Sequence, residues 1–184
     1  MLDIVGRLPA FRPVAVLDNN SALHGSSLLG VPILGGVDRL AQLWHARDFD
    51  AAVVAIVADR AYRAEVFKDG QRLGVPFANV IDPGAAISTQ MAIGQGNVFR
   101  PFVHIAACCS IGDNNYLAEF TSLGHHSHIG SHCTFAPRVT TAGWVKIGDR
   151  AAFGIGVCVD GHVTVDDDVT IEPGAVVVHD VTRG

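Results

Sequence analysis

The sequence predicts a parallel β-helix of six-residue repeats, preceded by a small α/β segment. Three observations predict it. A large apolar residue recurs at every sixth position through 81–177, small or β-branched residues recur two positions earlier, and residues 1–78 instead alternate apolar runs with helical spacing. A period of six fits neither an amphipathic helix nor an ordinary sheet, whose side chains repeat about every 3.6 and 2.0 residues.

The first part of the chain is predicted to alternate strands and helices. The apolar runs at 13–17 and 51–58 are typical of buried strands, and 37–47 and 60–73 carry apolar residues at helical spacing. This alternation predicts a small parallel α/β unit. The predicted domains are residues 1–78 and 79–184.

The six-residue frame runs without interruption from Ile81 to Val177. Sixteen of its seventeen large-residue positions are apolar, whereas a chain that is 49% hydrophobic would supply roughly eight by chance. The exception is Thr141. Glycine follows the large residue where we expect tight turns that need no Cβ, at Gly94, Gly112, Gly124, Gly130, Gly148 and Gly154.

Three repeats are expected to form one triangular coil of eighteen residues, so that residues eighteen positions apart stack along the axis. The sorting of residue types supports this arrangement. One corner collects Phe99, Leu117, Phe135 and Phe153, and another collects Ile93, Ile111, Ile129 and Ile147. The repeat region is long enough for about five coils.

Composition excludes several functional classes. A net charge of −5, with 13 Lys and Arg and no basic run, argues against nucleic-acid binding. The apolar runs are too short to span a bilayer, and residues 1–6 show no signal-peptide pattern, so we expect no membrane partner and a cytoplasmic location. The four cysteines show no C-x-x-C spacing and are expected to be buried free thiols.

Four stretches resemble the bacterial sugar acyltransferases of the PglD/NeuD type, which are hexapeptide-repeat enzymes. They are V-L-D-N-N at 16–20, G-V-P-I-L-G at 30–35, S-L-G-H-H-S-H-I-G at 122–130 and T-A-G-W-V-K-I-G at 141–148. The resemblance covers nearly the whole chain. It implies a left-handed β-helix after a truncated Rossmann-like domain, acetyl transfer from acetyl-CoA to a sugar amine or hydroxyl, and a homotrimer with sites between subunits.

The resemblance also implies that His125 is the general base, and the repeat frame adds an independent argument. Gly143 follows His125 by eighteen residues and is expected one coil above it, about 4.8 Å away. An imidazole and a glycine N–H at that separation can flank one thioester carbonyl as base and oxyanion donor. Imidazoles ordinarily titrate near neutrality, so activity should fall in acid. The alternative interpretation, that His125 is an exposed turn residue, stays open.

Further site residues are implied by the same resemblance. Where the family usually has Glu or Asp after the base, this chain has His126, so His126 and Glu119 are the candidates for orienting His125. Asp18 matches a carboxylate that binds the acceptor. Acetyl-CoA is expected to run along small residues of the later coils, namely Ala142, Gly143, Ile155, Gly156, Gly174 and Ala175.

The other histidines have simpler interpretations. His126, Trp144 and His162 are eighteen residues apart and are expected to form a surface ladder or a pocket wall, and His128 and His132 are expected to be solvated turn residues. The histidine cluster also suggests the hypothesis of a metal site of the kind found in γ-type carbonic anhydrases, which resemble this repeat. Their pair of histidines five residues apart is absent here, so we expect no metal.

We predict an acetyl-CoA-dependent acetyltransferase that acts on an amino or hydroxyl group of a small-molecule sugar, nucleotide-linked in the resembling family. One alternative is a catalytically weakened or inactive trimeric scaffold with the same fold. The other is a metal-dependent hydratase. Thermal stabilisation by CoA separates the enzyme from the scaffold, and metal analysis tests the hydratase.

Overall fold

The structure is a computed structural model that describes residues 1–183, and Gly184, the last residue of the predicted repeat domain, lies outside the described residues. The chain begins with short elements. These are α1 (Leu2–Val5), β1 (Val16–Leu17), β2 (Ser27–Leu28), β3 (Val31–Gly35), α2 (Leu40–Ala46) and α3 (Arg60–Arg72), with 3₁₀ turns at Ser21–Leu23 and Val37–Arg39. β1 pairs parallel with β3, and β2 pairs antiparallel with β3.

The helices of this segment form close to their predicted positions, but the strands do not. The strand predicted at 51–58 is wrong: within it, Ala52 makes an isolated parallel bridge with Phe77, and Val54 is buried without pairing. The strand predicted at 13–17 is shortened to β1. An apolar run shows that a segment is buried, whereas strand pairing also needs a partner segment that composition does not reveal.

From Val80 onward the chain forms a parallel β-helix of two-residue strands in three sheets, and the predicted repeat is confirmed. The first sheet holds β4 (Val80–Ile81), β7 (Val98–Phe99), β10 (Tyr116–Leu117), β13 (Thr134–Phe135), β16 (Ala152–Phe153) and β19 (Thr170–Ile171). The second holds β5 (Ala86–Ile87), β8 (His104–Ile105), β11 (Ser122–Leu123), β14 (Thr140–Thr141), β17 (Cys158–Val159) and β20 (Val176–Val177). The third holds β6 (Ala92–Ile93), β9 (Ser110–Ile111), β12 (His128–Ile129), β15 (Lys146–Ile147) and β18 (Thr164–Val165).

The strand register is the eighteen-residue stacking that the sequence predicts. Leu117 pairs with Phe99 on one side and with Phe135 on the other. The rings of Phe135 and Phe153 stack at 4.8 Å between centroids, with 6° between their planes. Thr141, the polar exception, is buried, and its hydroxyl oxygen accepts a hydrogen bond from the Gly124 N–H at 3.1 Å.

Three edges join the sheets of each coil. The first edge joins the first sheet to the second (as at 118–121), the second edge joins the second sheet to the third (as at 124–127), and the third edge leads to the next coil (as at 130–133). From Gly96 to Gly174, one residue at each edge has a left-handed backbone conformation. In the central coils these are Phe120, His126, His132, Arg138, Trp144 and Arg150.

The glycines that follow the large residues leave no room for a Cβ, as predicted, but they do not supply the left-handed conformation of these edges. None of the six has a positive φ. They are small because neighbouring coils approach closely: a Cβ on Gly112 would lie 2.9 Å from the Gly130 carbonyl carbon, and one on Gly130 would lie 2.8 Å from that of Gly148.

The N-terminal segment packs against the β-helix through α1 and α3. Ile4 and Val5 of α1 are buried against Val80 and Val98 of the first sheet. From α3, the buried Arg63 donates from Nη2 to the His132 carbonyl at 2.6 Å and to the Cys133 carbonyl at 2.9 Å. Burial lowers the pKa of Arg63 to about 10, so its guanidinium stays charged at neutral pH.

The cysteines are free, as predicted, but only two of them are buried. Cys109 and Cys133 lie in the core of the β-helix, whereas Cys108 and Cys158 are exposed. Cys108 occupies a left-handed turn position on the second edge. In the described part of the chain, no helix is both long and apolar enough to cross a bilayer.

Candidate active site

His125 and Gly143 lie on the second edge, one coil apart, as the frame predicts. The His125 imidazole packs so closely on Gly143 that a Cβ there would lie 2.7 Å from its Cε1 atom and 2.9 Å from Nε2. Among residues 1–183, no acceptor takes a hydrogen bond from the Gly143 N–H. His125 is exposed. An accessible imidazole therefore lies beside an unpaired backbone donor, the pair of groups that acyl transfer needs.

His126 contacts His125 directly. The two Nδ1 atoms are 3.0 Å apart, a hydrogen bond in which one ring donates and the other accepts. If His125 donates from Nδ1, its Nε2 carries the lone pair and is free to act as a base. The position of His126 therefore suits the predicted orienting role, which stays a prediction.

The predicted ladder on this edge is present. The rings of His126 and Trp144 stack at 4.2 Å between centroids and 14° between planes, and Trp144 and His162 stack at 6.1 Å and 4°. His125 meets both His126 and Trp144 edge-on. Trp144 also donates its backbone N–H to the His125 carbonyl at 2.9 Å, as part of the bonding between coils.

Glu119 lies on a different edge and is paired elsewhere. Its carboxylate accepts hydrogen bonds from Arg100, at 2.6 Å from Nη2 and 2.8 Å from Nε. Burial raises the pKa of Glu119, but the hydrogen bond from its own backbone N–H, together with the hydrogen bond and charge of Arg100, lowers this pKa overall. Because Glu119 belongs to the first edge and His125 to the second, they do not contact each other within one chain.

The residues predicted to bind CoA divide between two edges. Ala142 and Gly143 are on the second edge, beside His125, whereas the others are on or next to the first edge, namely Ile155, Gly156, Gly174 and Ala175. Ile155 is 58% exposed, and Gly156 and Gly174 have left-handed backbone conformations. One chain therefore does not bring the whole predicted set together.

Asp18 follows β1, at the start of a polar turn. Its Oδ1 accepts a hydrogen bond from the Asn20 N–H at 2.8 Å, and its carbonyl is 2.7 Å from Nε2 of His24. The next residue, Asn19, contacts the Tyr62 hydroxyl at 2.6 Å and so links this turn to α3. Asp18 is half-buried, so its role in acceptor binding stays a prediction.

His128 is exposed, as predicted, but it lies in β12 and not in a turn, and the expectation that His132 is solvated is wrong. His132 is 6% exposed because α3 covers it: Phe67 meets its ring edge-on at 5.6 Å. Its Nδ1 accepts a hydrogen bond from the Asn114 side-chain amide at 2.9 Å. Burial, followed by the nearby charges of Lys68 and Arg63, lowers the pKa of His132 to about 4.

The described residues contain no group of three His, Cys, Asp or Glu side chains arranged to hold a metal ion. A surface depression of about 430 Å³ lies on the third sheet one strand beyond His125 and is lined in part by His128, Lys146 and Thr164. Neither His125 nor Gly143 lines it, so a single chain leaves the candidate base on an open edge.

The chain is similar to solved structures over nearly all of its length. PerB from Caulobacter crescentus, in complex with CoA and GDP-perosamine, is 29% identical, with a TM-score of 0.84 over 91% of this chain and 77% of that one. The acetyltransferase domain of PglB from Neisseria gonorrhoeae, with acetyl coenzyme A, is 24% identical, with a TM-score of 0.85 over 97% and 86%. A variant of the Caulobacter crescentus perosamine N-acetyltransferase with one histidine replaced by asparagine is 25% identical, with a TM-score of 0.68 over 91% and 77%.

No protein-family model matches the chain, and no curated protein matches it. The parallel sheets match the left-handed β-helix of the acetyltransferases, so the handedness implied by the sequence motifs is confirmed. The resemblance to hexapeptide-repeat bacterial sugar acyltransferases is confirmed as well.

Proposed function

We propose that this protein is an acetyl-CoA-dependent acetyltransferase that acts on an amino or hydroxyl group of a nucleotide-linked sugar, with His125 as the general base. The observation that carries the proposal is the packing of an exposed imidazole against Gly143, whose N–H is unpaired in the described residues. Similarity to PerB, which binds CoA and GDP-perosamine, supports the donor and the acceptor class.

In the proposed reaction, Nε2 of His125 takes a proton from the acceptor amine or hydroxyl as this group attacks the thioester carbonyl. The Gly143 N–H donates to the oxyanion that develops, an interaction typically worth about 10²–10³ in rate. Collapse of the tetrahedral intermediate breaks the carbon–sulfur bond. The thiolate then takes the proton from His125, so the base is regenerated and no net proton is lost.

His126 is proposed to orient the base through the Nδ1–Nδ1 hydrogen bond. With His125 as donor, the bond keeps the proton on Nδ1 and leaves the Nε2 lone pair toward the acceptor. When His125 becomes an imidazolium, the His126 lone pair still accepts this bond. Glu119, held by Arg100 on the first edge, would reach the base only from a neighbouring subunit.

A homotrimer is proposed because the residues predicted to bind CoA divide between two edges of one chain. If the second edge of one subunit faces the first edge of the next, Ala142 and Gly143 lie opposite Ile155, Gly156 and Gly174 across a groove. Building the site between subunits would also shield the open edge around His125. Residues 1–78 are proposed as the acceptor-binding domain, with Asp18 as a contact, and a cytoplasmic location stays a prediction.

Release of CoA thiol from acetyl-CoA, measured across nucleotide-linked amino sugars that include GDP-perosamine, tests the function. We expect turnover with at least one acceptor, and we expect His125→Ala to lower kcat by roughly 10²–10⁴-fold, the usual contribution of a general base. His128→Ala, which removes another exposed histidine three residues away, is the matched control and should keep full activity.

Full turnover by the His125→Ala variant would show that another group is the base. No thiol release with any acceptor, together with no rise of the melting temperature in CoA, would instead favour the scaffold. If the protein binds CoA, a CoA concentration of 100 times its Kd should raise the free energy of unfolding by about 2.7 kcal/mol.

A further inference from the structure

Trp144 covers one face of the His126 ring. The two rings are nearly parallel, at 4.2 Å between centroids, and Trp144 is in turn stacked on His162. Trp144 itself is 47% exposed and has a left-handed backbone conformation, as His126 has. A large aromatic side chain is thus held half in solvent, at a position where it forms no part of the core.

The hydrogen bond between His125 and His126 depends on the orientation of both rings. An N–H···N bond of 3.0 Å weakens steeply when either ring turns away, and a half-buried imidazole at a turn has several rotamers available. Stacking on a rigid indole removes this freedom, because only one orientation keeps the planes parallel while Nδ1 faces Nδ1.

We propose that Trp144 is a positioning residue for the base: by stacking on His126, it fixes the ring whose Nδ1 accepts the hydrogen bond from His125. The bond then holds His125 in the tautomer that carries its lone pair on Nε2. The inference rests on the proposed function, since it assigns a role to Trp144 only through the base.

Trp144 acts through His126 and not on the reacting atoms. Its ring centroid is 6.4 Å from that of His125, with the planes perpendicular, whereas it is stacked face to face on His126. The backbone bond from the Trp144 N–H to the His125 carbonyl does not depend on the indole. Replacing the side chain therefore tests the stack and leaves the coil bonding in place.

The test compares Trp144→Leu, which removes the planar face, with Trp144→Phe, which keeps one. We expect Trp144→Leu to lower kcat about tenfold while KM for acetyl-CoA stays within about twofold, because the base loses orientation and not substrate contacts. Trp144→Phe should stay within about threefold of wild type. Phe102→Leu is the matched control, since Phe102 is an exposed residue in the same left-handed conformation, stacked on Phe120 on the first edge.

A double-mutant cycle decides whether the effect passes through His126. In the His126→Ala background, Trp144→Leu should cost no further activity, since the coupled ring is already absent. Equal losses in both backgrounds, or a rise of KM in place of the fall in kcat, would overturn the proposal and point to direct substrate contact.

The tautomer of His125, read from long-range ¹⁵N–¹H NMR correlations, gives a measurement that needs no activity. We expect the proton on Nδ1 in the wild type and in Phe102→Leu, and a mixture of tautomers in Trp144→Leu. An unchanged tautomer in Trp144→Leu would refute the positioning role. If no acceptor is acetylated, the proposed function fails, and this measurement still decides whether Trp144 fixes the histidine pair.

Discussion

A side chain at position 143 would collide with the imidazole of His125. We expect Gly143→Ala to lower kcat/KM by about 100-fold, because a Cβ placed 2.7 Å from Cε1 must push the ring away from the oxyanion donor. The melting temperature should change little, since the displaced ring is exposed. Steady-state kinetics and thermal unfolding measure the two effects.

Gly161→Ala is the control for this prediction. Gly161 lies one coil above Gly143 on the same edge, and a Cβ there would meet the Gly143 carbonyl oxygen at 3.3 Å and no imidazole. Activity in this variant should remain within about threefold of wild type. An active Gly143→Ala enzyme would mean that the imidazole and the backbone donor do not need their present separation.

At the scale of single residues, a site built by the repeat can be predicted and a site built between segments cannot. The pairing of His125 with Gly143, and the stack of His126 on Trp144, follow from a period that fixes neighbours at eighteen residues. The burial of His132 does not follow from this period. It depends on α3, whose contact with the third edge no pattern within the repeat contains.

Among the elements, α3 makes the β-helix sensitive to acid through His132. The pKa of this imidazole is about 4 in the folded chain, chiefly because of burial, against an ordinary value of 6.5. Because the unfolded chain binds this proton more tightly than the folded chain, protonation of His132 favours unfolding. The contribution of the neutral His132 to stability is therefore full above about pH 6.5 and is lost as the pH falls toward 4. The loss amounts to on the order of 3 kcal/mol.

Urea unfolding at pH 7 and pH 4.5 measures this loss. His132→Asn should lose clearly less stability than the wild type over this interval, because asparagine does not titrate and accepts a left-handed conformation. His162→Asn, at an exposed left-handed position, should keep the acid sensitivity of the wild type. Equal acid sensitivity in all three proteins would place its origin in other groups.

The strands of the repeat could be predicted one by one from the sequence. In the segment before the repeat, only the helices could be predicted close to their observed positions. A two-residue strand in the β-helix pairs with a copy of its own pattern, so the sequence names both partners. The run at 51–58 contains no such copy. β3 contains Pro32, a residue that usually argues against a strand, and it is tolerated here in a small three-stranded sheet.

For the whole molecule, the two-edge division of the CoA residues predicts that catalysis needs two subunits. His125→Ala removes the base from the second edge, and Ile155→Arg fills the exposed surface of the first edge with a bulky cation. Each variant alone should be inactive. In trimers that contain both variants, one interface in three pairs an intact second edge with an intact first edge, so roughly a third of wild-type activity should return.

Co-expression with two different tags, followed by purification through both and the thiol-release assay, measures this recovery. A mixture of separately purified trimers that have not exchanged subunits is the control and should stay inactive. If the site were contained within one chain, every subunit of the mixed trimers would carry one defect, and no activity would return. Recovery therefore depends on His125 and Ile155 belonging to different subunits of the same site, which is the arrangement that we propose for these two edges.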